Sequence, residues 1–167
     1  RNAITSTPRD RLVFFIGSLC IEEFREILLL CANAYGIAGA KLLRSLYERA
    51  VTCAYVAIEP SAYQDFLNYH HVHRHKEVNH LRSIKGVQIR YPADEINRIE
   101  ANFKRVESHF QEILCKECGK QRLQSSWTKL SLPAMATKVG PAYLRLYFSC
   151  YFQPTIQAHS TVSAVMV

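Results

Sequence analysis

Five of the seven histidines of this 167-residue chain fall within eleven positions: His70, His71, His73, His75 and His80. Arg74, Lys76, Glu77 and Arg82 stand in or beside that stretch. An imidazole exchanges a proton near neutral pH, and a guanidinium stabilises negative charge developing on phosphate oxygens. The cluster therefore carries the side chains for acid–base work on a phosphodiester without a metal. It also carries metal-ligand types. Glu77-Val78-Asn79-His80 is a Glu-x-x-His, the ligand spacing of carboxylate metal sites in helical bundles. His73 lies on the same arc as Glu77 and His80, so a divalent metal at His73/Glu77/His80, with Glu48 added from an earlier helix, is the second chemistry.

The element that positions these groups is a helix. No Gly or Pro interrupts Ser61–Ile84, and Pro60 stands just before it. On a wheel turning about 100° per residue, Tyr63, Phe66, Leu67, Leu81 and Ile84 share one face, expected to meet the core. His70, His73, Arg74 and Glu77 fall on that face between its apolar ends. Buried polar groups are costly unless paired, so neighbouring helices must supply partners or the face must line a cleft. A structural hydrogen-bond network is the alternative use of the same residues. His71 and His75, spaced i, i+4, are expected in solvent.

The other elements are read the same way. Asp10–Tyr35 is expected as a long helix closed by Gly36, with Glu22, Glu23, Arg25 and Glu26 as its wetted side. Gly39–Ile58 follows, stopped by Glu59-Pro60. In it Arg44 and Glu48 are i, i+4 and suited to pair along the helix. From an antiparallel neighbour either could reach the His70/His73/Arg74/Glu77 face. Val87–Tyr91 is a β-prone link, and Ala93–Leu114 a fourth helix with acidic residues in its first turn. Leu132–Val139 and Ala142–Phe152 are shorter helices; Tyr143, Tyr147 and Tyr151 recur every four residues, and Pro154 is expected to end the second. The Leu130–Gly140 run has the rhythm of a helix-turn-helix opening, but no basic recognition helix follows it. A last helical piece begins at Gln157, with His159 placed just after the break.

Cys115-Lys116-Glu117-Cys118-Gly119 has the shape of one zinc knuckle. A full site needs four ligands. No second Cys-x2-Cys exists, and His109 is the nearest third donor. The other four cysteines sit in apolar helical surroundings and suit a reducing, cytoplasmic compartment.

Composition bounds the rest. The chain is 49% hydrophobic and 21% charged, a globular balance. Its net charge of +7 suits an anionic partner such as RNA. No stretch reaches the ~20 apolar residues of a membrane span. The chain begins at Arg1 without a methionine and stops at Val167 inside an apolar pattern, as a piece of a longer protein would. The expected fold is all-α: one domain over residues 1–167, four long helices with shorter C-terminal ones.

Several blocks resemble a known family. They are Leu42-Leu-Arg44-Ser-Leu-Tyr-Glu48-Arg-Ala50 with Ala54-Tyr55, Tyr69-His-His-Val-His-Arg-His-Lys-Glu77, Ser126-Trp127, Met135-Ala136 and Val139-Gly140. A tyrosine-rich helix ending in Ala158-His159-Ser160 completes the set. In order and spacing, from Ala38 to Ser160, they are similar to a widespread bacterial family of helical domains of unknown function, of the 5677 type. The Arg44/Glu48 block and the late His159 also resemble HEPN-type domains. Arg74-His75-(x4)-His80 is similar to the Arg-polar-(x3–5)-His signature of HEPN ribonucleases, which work as metal-independent nucleases at a dimer interface. By that resemblance Arg74 and His80 carry catalysis, His75 is the polar neighbour and a homodimer is implied. The candidate site is then Arg44, Glu48, His70, His73, Arg74, Glu77, His80 and His159. The expected function is a HEPN-like ribonuclease or toxin-type effector of bacterial defence, without a cofactor. The alternatives are a metal-binding bundle, using zinc at Cys115/Cys118 or a divalent ion at His73/Glu77/His80, and a non-enzymatic regulatory or scaffold domain.

Overall fold

The computed structural model describes residues 6–86, 91–115 and 117–158. Among the described residues it is helical apart from one two-stranded hairpin, with four long helices before the short C-terminal ones, as the sequence predicts. The chain forms two compact units, one of residues up to Pro60 and from Leu130 onward, the other of Ser61–Lys129. Among the described residues no helix is long and apolar enough to cross a membrane.

In the first unit, helix α1 (Pro8–Ala32) starts at a reciprocal cap. The Asp10 N–H donates to Thr7 Oγ1 at 3.1 Å, and the Thr7 N–H donates to the Asp10 carboxylate at 2.9 Å. Ala34, with φ 65°, turns the chain into α2 (Gly36–Ile58). Gly39 lets the two helices approach, since a Cβ there would stand 2.9 Å from Cys31 Sγ. Ile16, Ile27, Tyr47, Val51, Tyr55 and Val56 are buried. Glu23, expected on the wetted side, is buried as well, held by Arg49 Nη1 at 2.7 Å.

Helices α5 (Leu132–Val139), α6 (Pro141–Tyr147) and α7 (Gln153–Ala158) complete this unit, with a π turn at Phe148–Phe152 between the last two. Pro154 does not stop the chain as expected. It has no N–H to give the preceding turn. The wide turn absorbs that loss, the Gln153 N–H reaching back to the Phe148 carbonyl. Tyr47 joins this segment to α2, its hydroxyl donating to the Tyr143 carbonyl at 2.7 Å and its ring meeting Tyr147 and Tyr151.

The second unit holds α3 (Pro60–Ser83), α4 (Ala93–Val106), a 3-10 turn at Glu107–Phe110, and strands β1 (Gln111–Ile113) and β2 (Gln121–Leu123). The fourth helix ends eight residues before the expected Leu114. The 3-10 turn buries Phe110, and Gly119 at φ 67° reverses the chain so that β2 returns antiparallel to β1. The Gln124 N–H then donates to the Phe110 carbonyl at 2.8 Å. The core here is Tyr69, Val72, Phe103, Val106 and Phe110, with Leu123 and Trp127 against it.

The buried face of α3 is not the one the wheel predicted. Ala62, Tyr69, Val72 and Val78 are buried, whereas Leu67, His70, His73, Glu77 and Ile84 are exposed. The helix is packed on two flanks. Phe66 and Tyr69 meet Trp127 and Phe110 on one, and His75 meets Phe103 on the other. Packing shared between two flanks leaves the ridge between them to solvent, and the ionisable band lies on that ridge.

Candidate functional site

The second unit brings part of the histidine cluster into an open groove of about 310 Å3. From α3 it takes His70, His71 and Arg74, one helical turn. From α4 it takes Glu95, Arg98, Ile99 and Asn102, at i, i+3, i+4 and i+7. Arg74 is the centre of its polar network. It donates to Glu95 Oε1 at 2.9 Å, to the Tyr91 hydroxyl at 3.1 Å and to Glu77 Oε2 at 3.3 Å. The Tyr91 hydroxyl donates onward to Glu77 Oε1 at 2.8 Å, and the Tyr91 ring lies under the guanidinium. Arg98 is mostly exposed, 3.9 Å from Glu95 Oε1. Arg105 donates to Asn102 Oδ1.

The His70 and His71 rings are 5.8 Å apart. Partial burial pushes the pKa of His71 down, and the neighbouring His70 and Arg105 push it the same way. His71 is therefore a neutral imidazole at neutral pH, able to accept a proton. The arrangement offers a proton acceptor, a second imidazole beside it and two guanidiniums facing one polar trough.

The remaining predicted residues lie elsewhere. His73 is exposed, edge-on to Tyr69. His75 is not in free solvent: its ring stacks on Phe103 at 3.7 Å with planes 1° apart, and Nε2 contacts Asn79 Nδ2 at 2.8 Å. His80 is exposed, and six residues along a regular helix set it about 120° from Arg74. The Arg-x5-His pair therefore does not converge within one chain. Arg44 is engaged inside its own unit, donating to Thr155 Oγ1 at 2.9 Å and to the Tyr151 hydroxyl at 3.4 Å. The expected Arg44–Glu48 pair is not formed among the described residues, and Glu48 is exposed. His159 lies outside the described residues, as does most of the Val87–Tyr91 link.

Among the described residues no three His, Cys, Asp or Glu side chains converge as a metal cage. Glu77 is turned to Arg74 and Tyr91, away from a set with His73 and His80. His109, the third donor considered for the thiols, contacts Asp65 Oδ1 at 2.7 Å. Cys115 and Cys118 do come together. Hydrogen bonds to the Cys115 sulfur from the Cys118 backbone and thiol, and from the Glu117 N–H, push its pKa down. They form a two-donor pair.

Sequence reading missed His71, Tyr91, Glu95, Arg98 and Asn102. The i, i+3, i+4, i+7 row on α4 was a usable signal, since it is the face a helix presents to one neighbour.

No curated protein and no solved structure matches the chain. A family match covers residues 12–166, nearly the whole length, and the chain belongs to that family, the family of unknown function DUF5677.

Proposed function

We propose that the chain is a HEPN-like, metal-independent ribonuclease, a toxin-type effector of bacterial defence acting on RNA in the cytoplasm. The observation that carries the reading is the groove, which lines His70, His71, Arg74 and Arg98 along one trough. In this reading His71 takes the proton of a ribose 2′-hydroxyl as that oxygen attacks the adjacent phosphorus. The bond from phosphorus to the 5′-oxygen breaks, and the His70 imidazole, beside His71, is the group placed to give that oxygen its proton. Arg98 faces the charge gathering on the non-bridging oxygens, while Arg74 orders the trough through Glu95 and Tyr91. The products are a 2′,3′-cyclic phosphate and a 5′-hydroxyl. The net charge of +7 supports a polyanionic substrate. A homodimer is part of the HEPN-like reading.

A second reading is favoured by one observation. Arg74 already holds two carboxylates and a phenol, as a structural clamp would. The groove would then bind RNA, or serve a regulatory bundle, without cutting. Cleavage of single-stranded RNA in EDTA by wild type, His70→Ala, Arg98→Ala and His80→Ala separates the two. The nuclease reading expects a drop of about 100-fold or more for His70→Ala and Arg98→Ala, and none for His80→Ala. Binding by wild type with no cleavage supports the second reading. A loss in His80→Ala equal to that in His70→Ala contradicts the groove as the centre.

A further inference from the structure

The turn joining β1 to β2 holds two thiols that RNA cleavage leaves unused. Cys115 and Cys118 stand as Cys-x2-Cys between the strands. The turn is pinned at both ends. The Lys120 carbonyl accepts from the Leu114 N–H at 2.8 Å and from the Cys115 N–H at 3.4 Å. Gly119, at φ 67°, adopts the left-handed backbone that leads into β2. Within the turn the Cys115 sulfur accepts from the N–H groups of Cys118 and Glu117 and from the Cys118 thiol. Cys118 is exposed and Cys115 half-buried, so solvent molecules reach the pair.

Backbone donors aimed at a sulfur favour its thiolate, the form that attacks a disulfide. A second thiol within hydrogen-bond reach supplies the group that resolves the mixed disulfide so formed. The sulfurs already touch, so an S–S bond of about 2 Å asks for side-chain rotation inside one turn. A closed zinc site asks for four donors, and among the described residues no third His, Cys, Asp or Glu joins these two. The thiols of Cys20 and Cys53 differ: burial pushes both up, which slows the same attack.

We propose that Cys115 and Cys118 form a reversible dithiol–disulfide site whose co-substrates are small-molecule disulfides of the glutathione class. The Cys115 thiolate attacks one sulfur of the incoming disulfide. Its S–S bond breaks, and the first leaving thiolate takes a proton from water. Cys118 gives its own proton to water and attacks the Cys115 sulfur, releasing the second thiolate, which is protonated in turn. Two electrons pass from the thiol pair to the incoming disulfide, which leaves as two thiols. An excess of small thiol drives the same steps backward. In a reducing compartment the pair therefore rests as the dithiol and oxidises when the disulfide fraction rises. The site draws on no part of the α3–α4 groove, so it stands or falls apart from RNA cleavage.

The test equilibrates the full 167-residue chain, reduced and in EDTA, with graded mixtures of reduced and oxidised glutathione. Acid quenching, alkylation of remaining thiols, trypsin digestion and mass spectrometry then locate each cysteine's state. Trypsin cuts after Lys116, so a Cys115–Cys118 disulfide shows as two fragments that stay joined. Wild type gives these joined fragments in excess glutathione disulfide and separate alkylated ones after return to excess reduced glutathione. Cys118→Ser stops at a mixed disulfide of glutathione on Cys115. Cys115→Ser reacts with glutathione disulfide at position 118 about 10-fold more slowly than wild type does at Cys115. Both variants keep wild-type helical circular dichroism, since the turn lies outside the helices. Alkylated Cys115 and Cys118 throughout the series overturn the proposal. So do disulfides that join two chains instead of the two thiols of one, or oxidation at Cys20, Cys31, Cys53 and Cys150 as fast as at this pair.

Discussion

His75→Phe is expected to stabilise the second unit, and more so in acid. The His75 ring stacks flat on Phe103, a contact a phenyl ring reproduces. With Asn79 Nδ2 donating to Nε2, the ring proton sits on Nδ1, which is buried and has no hydrogen-bond partner among the described residues. An unsatisfied buried donor costs about 1–3 kcal/mol, while the exposed Asn79 contact returns about 0.5 kcal/mol. The substitution should therefore gain about 1 kcal/mol near pH 7, or roughly 2–4 °C in melting temperature for a chain of this length. Burial also pushes the His75 pKa down. Glu100 and Glu107 oppose that shift and Arg82 adds to it. The sign follows: as pH falls below ~6.5 the unfolded chain takes up the proton first. The stability present above that pH is lost as pH falls through the lowered folded value. The phenyl variant lacks this loss, so its advantage widens between pH 7 and pH 5.5. Trp127, the single tryptophan, lies in the same unit, so urea unfolding followed by its fluorescence reads the effect. A variant that loses 1 kcal/mol or more at pH 7, or whose advantage does not change with pH, refutes the reasoning.

One further change probes each unit. Tyr69→Phe removes the hydroxyl that donates to the Gln124 carbonyl at 2.7 Å and accepts from Lys76 Nζ at 3.0 Å; it should cost about 1 kcal/mol in the same urea assay. Arg49→Ala strands the buried Glu23 carboxylate and should cost about 2 kcal/mol by helical circular dichroism, less than a fully buried pair because water reaches Arg49.

The helices were legible because prolines and glycines mark their ends: Pro60 opens α3, and Gly140-Pro141 divides α5 from α6. The hairpin was not. Its cause is Phe110 seeking burial and Gly119 turning the chain, both tertiary demands that a charged helical pattern conceals. The site was half legible. His70 and Arg74 stand in the groove as side chains able to do chemistry, but the reason given, a buried ionisable band, fails because α3 packs on both flanks. His71 was assigned to solvent by a wheel that assumed one core face. Tyr91, Glu95 and Arg98 could be placed only once α4 was known to lie along α3.

In the nuclease reading, the groove between α3 and α4 transfers protons during RNA cleavage. End-labelled single-stranded RNA, incubated in EDTA with wild type and with His71→Ala of equal helical content, tests it most directly. Wild type is expected to cut the RNA to 2′,3′-cyclic phosphate ends, with a fall of about 100- to 10,000-fold in the variant. RNA left whole by wild type, or cut equally by both proteins, would contradict it.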